Sequence, residues 1–468
     1  MVKFLDLGGC MNLIGRQAQV ERLRGVMKFE RCDGRRLSIL GIEGPGGVGK
    51  SSLIEMAEQG LDYKILRALK VHLDSTEVVA TLLDFVDGLI QGVKSDARRS
   101  YSRGDISLKK TEQAVAAARK ILLDAQNEVA KNGDPVAIAQ IYHRAMAFGK
   151  SVNKISPKTK DWADFEAMES KVSTEDVRDV ISVFQDEVPN LFNNLGIFSD
   201  GKNLRNSIRA NAAKVFAQAL VDDLEVVLAG YNVKDAGKPL PSKIAGCDRL
   251  LLIVDDFESV SEICGEFLVK YFLPALKGVR FQSIVIIAGR DDLTVTHPSW
   301  NQHLQAHLLD PAIDVGPLSR SEIDVIAKRE GVDSEVLWRD TDGYPYFIQL
   351  WVEADRRGGE NAVSLKKFYD RTTRWMNQQQ KEWLSICLLL DEVNIGSISK
   401  LVESEQCASD IFSWFEMEAS IRDTKSKFFA VRTYIRRRLL DYLRLRDPLV
   451  VSAQEDRARE LGVLKSIL

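Results

Sequence analysis

At 468 residues, with 45% hydrophobic and 28% charged side chains, the chain is long enough for about two to four domains, each with its own core. A formal net charge of −3 speaks for no general affinity for nucleic acid or a membrane, so any such contact must come from a local patch. The six cysteines (Cys10, Cys32, Cys247, Cys264, Cys387, Cys407) are scattered without a C-x-x-C pair, which speaks against a disulfide framework or a zinc site and for a reducing cytoplasm, and no apolar run marks a secretory leader or a membrane span.

Residues 12–36 open with Asn12-Leu13-Ile14-Gly15-Arg16-Gln17, read as a turn, followed by a short helix with Val20, Leu23 and Val26 on its apolar side. Leu37 to Ile42 reads as a buried parallel strand. Directly after it comes Gly44-Pro45-Gly46-Gly47-Val48-Gly49-Lys50-Ser51-Ser52, which fits G-x-x-x-x-G-K-[ST]. A helix starts at Ser51, so the motif lies between strand and helix, where its chemistry needs it. Glycines let the backbone turn its N–H groups inward around phosphates, and the helix N-terminus adds positive partial charge. Lys50 is expected to reach the β- and γ-phosphates of a nucleotide, and the Ser51 hydroxyl to ligate Mg²⁺. The alternative is a glycine-rich turn that matches by chance.

Tyr63 to Leu73 reads as a second strand, followed by a helix with Val78, Leu82, Leu83, Phe85, Val86, Leu89 and Ile90 on its apolar side. Residues 93–203 read as a helical insertion. Thr111 to Val129 repeats apolar residues at spacings of three and four, Gly133-Asp134-Pro135 breaks that helix, and Val136 to Phe148, 161–172 and 175–193 follow. Periodicity assigns the insertion no chemistry; a packing or oligomer surface and a partner-docking arm both remain open. Leu204 to Leu228 is a further long helix.

Arg249 to Val254 is an apolar strand that ends in Asp255-Asp256-Phe257-Glu258. Carboxylates at the carboxyl end of a parallel strand lie where ligands bind in open α/β sheets. Asp255 is the candidate for holding Mg²⁺, and Asp256, or Glu258 in its place, for orienting the attacking water. Ser283 to Arg290 is the next strand, and Arg290 at its end is the candidate γ-phosphate sensor; pairing with Asp291 or Asp292 is the alternative. Ala312 to Val315 is a further short strand. Ser319 and Glu322 fit a capping box. Gly343-Tyr344-Pro345 opens a helix, and Pro345 is expected to pack on the base, unless it is an ordinary proline at a helix start.

Residues 376–447 read as helices at 379–390, 396–403 and 408–418, a short strand Phe428 to Arg432 and a helix from Thr433 to Arg444, together suggesting a winged helix. Arg422, Lys425, Lys427, Arg432, Arg436, Arg437, Arg438, Arg444 and Arg446 make it locally basic. DNA contact is one reading; a solvated or docked face is the other. Residues 453–468 form a short helical tail.

In this order, Ile14-Gly15-Arg16, Gly44 to Ser51, Leu251 to Asp256, Arg290, Gly343-Tyr344-Pro345 and a winged helix resemble the STAND class of signal-transduction NTPases, and behind it AAA+ and origin-initiator relatives. The resemblance covers residues 1–92 and 204–447. It implies an α/β fold: a P-loop NTPase core (1–92 and 204–315) with a parallel sheet flanked by helices, a helical insertion (93–203), a helical lid (316–375), a C-terminal winged-helix domain (376–447) and a tail (448–468). It implies ATP or ADP with Mg²⁺ as cofactors. Ile14, Gly15, Arg16 and Pro345 would line the adenine, and Gly44, Pro45, Gly46, Gly47, Val48, Gly49, Lys50, Ser51 and Ser52 the phosphates. By the same resemblance the chain would be a slow ATPase switch, closed with ADP and oligomeric with ATP, working with effector or sensor partners, as in antiviral defence. Three departures follow. The five histidines all precede the winged helix, so the histidine that holds the ADP β-phosphate in animal and plant members has no counterpart. No sensor repeats are read after residue 447 and no effector domain before residue 12, so partners, the insertion or a longer chain would supply them. The 93–203 insertion is foreign to the common pattern.

Overall fold

The computed structural model describes residues 15–30, 34–74, 81–101, 106, 108–130, 201–229, 247–290, 292–296, 299–356, 361–373, 376–402, 404–418, 421–423 and 429–464. The architecture is α/β. Five strands, β1 (Leu37–Glu43), β2 (Ala68–Asp74), β3 (Arg249–Asp255), β4 (Gln282–Ala288) and β5 (Ile313–Asp314), form one sheet in the order β2-β3-β4-β1-β5. The β2–β3, β3–β4 and β1–β5 pairings are parallel, with Asp74 opposite Asp255, Val254 opposite Ile287 and Ile42 opposite Ile313. Near-continuous burial along β1, β3 and β4 explains their unbroken apolar sequences, since a parallel sheet is covered on both faces.

The chain folds as two compact units, Met1–Leu23, Ile42–Ala57 and Ile313–Leu468 in one, Arg24–Gly41 and Glu58–Ala312 in the other. In the second unit a large apolar core gathers the start of β1, strands β2, β3 and β4, the Leu82–Tyr101, Lys109–Ala130 and Gly201–Leu224 helices, and the segment from Val260 to Leu304. Phe85, Phe216, Phe267 and Phe272 are all but fully buried there, each worth about 2 kcal/mol of transfer free energy. The Leu82–Tyr101 helix shields the edge strand β2. Asp96 accepts the Lys70 N–H at 2.8 Å, and the Tyr101 hydroxyl donates to the carbonyls of Ala68 (2.9 Å) and Tyr63 (3.2 Å). Two of the backbone groups that an open edge would offer to another chain, the Lys70 N–H and the Ala68 carbonyl, are thus satisfied inside the unit. Asp223 caps the Lys109–Ala130 helix by accepting from Thr111 N, Thr111 Oγ1 (both 2.8 Å) and Lys110 N (3.3 Å).

Three sequence expectations are corrected. β2 starts at Ala68 rather than at residue 63, because the Asp62 carboxylate takes the N–H groups of Lys64 and Ile65, and Arg67 turns left-handed at φ 56°. The helix read with Val78 to Ile90 on its apolar side spans Leu82–Tyr101, running past residue 93 where the insertion was expected to begin, while Val78 lies outside the described residues. β3 stops at Asp255, three residues short of Glu258, where the strand was expected to end. Of the insertion helices, Val136 to Phe148, 161–172 and 175–193 lie outside the described residues, as does Ile14.

The first unit carries the loop after β1, the Lys50–Glu58 helix and the helices from Arg320 onward. Its Arg320–Glu330 helix opens on the Ser319/Glu322 capping box. Further on, the chain forms the Gln378–Leu388, Ile395–Ser399, Glu405–Met417, Thr433–Arg446 and Pro448–Glu460 helices. Residues 421–423 and 430–432 pair antiparallel through Asp423 N to Ala430 O (2.7 Å) and Arg432 N to Ile421 O (2.8 Å), a small hairpin among helices. No helix among the described residues is long and apolar enough to cross a membrane.

Candidate nucleotide site

The predicted site residues fall into two groups, one in each unit. In the first unit, residues 44–50 leave β1 as a loop in which three of the four glycines take positive φ: 147° at Gly44, 86° at Gly47 and 97° at Gly49. Space adds to this at two of them, forbidding a side chain at Gly44 and leaving a tight fit at Gly47. A Cβ on Gly44 would lie 2.1 Å from the Val315 carbonyl oxygen, and one on Gly47 would lie 3.0 Å from Tyr346 Cβ. Val48 is buried and anchors the loop, while Gly46, Gly47 and Gly49 are half-buried and Ser51 is exposed. Lys50 is buried, and its ammonium donates to the carbonyls of Gly44 (2.6 Å) and Pro45 (3.3 Å). Thus the cation is folded onto the loop it belongs to, at the N-terminus of the Lys50–Glu58 helix, where positive backbone charge also accumulates.

Gly15 and Arg16 belong to the same unit. A Cβ on Gly15 would collide with the Glu322 carboxylate. Arg16 is 4% exposed and donates to the Gly316 carbonyl at 2.7 Å. Burial pushes its pKa down, opposed by the carboxylates of Glu322 and Asp314. Pro345 is buried and begins the Pro345–Arg356 helix. Tyr346 donates its N–H to the Gly47 carbonyl at 3.2 Å, so this helix start rests on the glycine loop.

In the second unit, Asp255 ends β3 with 6% exposure and its Oδ1 accepts the Asp256 N–H at 2.9 Å. Asp256 does not prolong the strand. It adopts a left-handed conformation (φ 55°, ψ 44°) and starts the tight turn Phe257–Ser259, its carbonyl accepting Ser259 N–H (3.0 Å) and Oγ (2.7 Å). A non-glycine residue held there stores strain of about 1 kcal/mol or more, the kind found at functional turns. Arg290, just past β4, donates its Nε hydrogen to Glu258 Oε1 at 2.6 Å. Arg290 thus has a carboxylate partner that is not one of its sequence neighbours, and Glu258 faces that guanidinium. Asp292 instead caps Thr294 (2.7 Å), and Asp291 is outside the described residues. Sequence reading missed the pair because 32 positions separate its members.

The arginines read as a basic surface are largely committed. Arg436 is buried, donating to the Leu388 carbonyl (2.7 Å) and pairing with Asp391 (3.1 Å). Arg437 and Arg438 pair with Asp342 at 3.3 and 3.4 Å, and Arg438 also with Asp441 at 3.1 Å. Arg444 pairs with Glu455 and Arg446 with Asp447. Lys425 and Lys427 lie outside the described residues.

Among the described residues no group of three or more His, Cys, Asp or Glu forms a metal cage. A phosphate-bound Mg²⁺ does not need one, because it keeps waters and takes only one or two protein oxygens beside the phosphates. Ser51 and Asp255 are donors of the right chemistry. No family model matches the chain. No curated protein matches it. Among solved structures it is similar to one described as the Aeropyrum pernix ORC1 protein in complex with DNA, at 12% identity and a TM-score of 0.36, over 94% of this chain and 95% of that one. A likeness of that size carries no argument about function, which must come from the residues themselves.

Proposed function

We propose that the chain binds ATP or ADP with Mg²⁺ at the loop after β1 and acts as a slowly hydrolysing conformational switch. The observation that supports this most is the complete Gly44–Ser51 motif folded as a loop of left-handed glycines between β1 and a helix, with Lys50 buried upon it. On this reading the N–H groups of Gly46 to Ser51 and the Lys50 ammonium take the phosphates. Ser51 and Asp255 hold Mg²⁺, which neutralises charge on the phosphate oxygens. Asp256 orients water, and Arg290, aimed by Glu258, stabilises charge on the γ-phosphate. Gly15, Arg16 and Pro345 line the base. The output is a rearrangement of the helical segments after residue 316 and a change in self-association, with effector or sensor proteins as further partners.

Calorimetric titration with Mg·ADP and Mg·ATP tests the site. Lys50→Ala is expected to weaken binding about a hundredfold or more, because it removes the ammonium directed at the loop. Undiminished binding in that variant refutes the site. Phosphate release measured alongside separates a turnover enzyme from a module that holds nucleotide structurally. Light scattering with ADP, with ATP, and with ATP plus duplex DNA reports assembly and shows whether DNA is a partner.

A further inference from the structure

The turn Asp342-Gly343-Tyr344 touches both the glycine loop and the Thr433–Arg446 helix. On the loop side, Tyr346 N–H bonds to Gly47, and a Cβ built on Gly47 would lie 3.3 Å from the Tyr344 hydroxyl. On the helix side, the Tyr344 ring lies 5.2 Å from that of Tyr434, tilted by 31°. Asp342 pairs with Arg437 and Arg438, and the Arg438 guanidinium also donates to the Arg339 carbonyl (2.7 Å) and sits over the Phe347 ring at 5.3 Å. The turn has little freedom of its own. Asp342 and Gly343 are left-handed (φ 48° and 73°), and a Cβ on Gly343 would lie 2.2 Å from the Leu318 carbonyl oxygen. Tyr344 is 4% exposed and packs edge-on against Phe368 as well.

We propose that this turn is a relay: Tyr344 and Asp342 carry the state of the glycine loop to the C-terminal helices, and the docking of those helices back to the loop. The inference rests on the nucleotide reading. A close-packed interior passes on small displacements because its side chains have discrete alternatives rather than slack. A phosphate filling the loop alters what Tyr344 and Tyr346 rest on. The Tyr434 ring and the two arginines on Asp342 then either follow or give up their contacts. Linkage makes the effect reciprocal: whatever helps the Thr433–Arg446 helix to dock changes nucleotide affinity by the same factor. The arginines that look in sequence like a nucleic-acid patch act here as a clamp on one turn.

The test combines amide exchange of residues 433–446, with and without Mg·ADP, and calorimetric affinity on the full chain. In the unaltered protein, nucleotide is expected to change exchange in that helix. Tyr434→Ala and Asp342→Asn, neither of which alters the loop, should each shift nucleotide affinity about fivefold or more and abolish the exchange response. Tyr434→Phe keeps the ring and should behave as the parent. Should Tyr434→Ala fail to fold, Asp342→Asn carries the test, being isosteric. Parental affinity and a parental exchange response in the Asp342→Asn variant overturn the relay while leaving the nucleotide site standing. An unaltered chain that binds no nucleotide overturns both.

Discussion

Arg290 donates its Nε hydrogen to Glu258 at 2.6 Å, tying the end of β4 to the turn that follows β3. The guanidinium is 8% exposed and the carboxylate 23%. A pair this sheltered holds each partner in one rotamer, so Arg290 has a defined direction before any ligand arrives.

Glu258→Ala is therefore expected to destabilise the fold by about 2 kcal/mol, because a largely buried guanidinium loses its carboxylate. Arg290→Ala should cost a similar amount, and the double variant less than the sum, with a coupling energy of about 1–3 kcal/mol. Urea midpoints of the four proteins measure it. Strict additivity would show that the pair contributes nothing.

Gly44→Ala asks two things of the chain that it cannot do cheaply: hold alanine at φ 147° and find room for a methyl 2.1 Å from the Val315 carbonyl oxygen. The obstacle is backbone, so β5's exit must move. We expect a loss of about 2 kcal/mol or more in stability, together with loss of nucleotide binding. Gly34→Ala is the control. It too has positive φ, 70°, but nothing lies within 4 Å, so only the strain should register in a thermal melt.

Burial raises the carboxyl pKa of Asp223 above its ordinary value, against the opposing hydrogen bonds from Thr111 and Lys110, and raises that of Asp96 in the same way. A carboxyl that holds its proton more tightly when folded contributes stability that is complete below its unfolded pKa. That stability is lost as the pH rises through the folded value. These two groups should therefore favour the fold on acidification from neutrality, contrary to the usual carboxylate. The gain in urea midpoint on acidification that these two groups supply should be lost in Asp223→Asn and in Asp96→Asn. An unchanged gain in both would contradict the shift.

Arg436→Glu should fail as a probe of DNA contact and succeed as a probe of the fold. It removes the partner of the Leu388 carbonyl and of Asp391 and places a second negative charge in a buried site. A loss of about 3 kcal/mol or more is expected, read from the melting of the C-terminal helices. Burial also pushes the pKa of Arg436 down, with Asp391 opposing, as expected for a charge kept inside by its partner.

Local chemistry was legible where one segment carries the whole instruction. The glycine motif is contiguous in the chain and the Ser319/Glu322 capping box spans only four residues, so both could be read from the chain and have the expected form. Strand ends were harder, because they depend on side-chain competition for backbone groups: Asp62 delays β2, and the left-handed Asp256 ends β3. The arginines of the Thr433–Arg446 helix were left open in sequence between DNA contact and a solvated or docked face. Charge that looks exposed in a one-dimensional row had its partners at Asp342, Asp391 and Glu455, and only folding brings those carboxylates into reach.

The sequence alone determined the α/β class, the order of its strands along the chain and the position of the glycine loop, since apolar period and glycine placement are local properties. Tertiary structure alone decided that Glu258 orients Arg290, that Asp342 gathers Arg437 and Arg438, and that Tyr344 lies between Gly47 and Tyr434. Each of those joins residues far apart in the chain, and contact energies between distant residues exist only once burial has placed them within a few ångströms of each other.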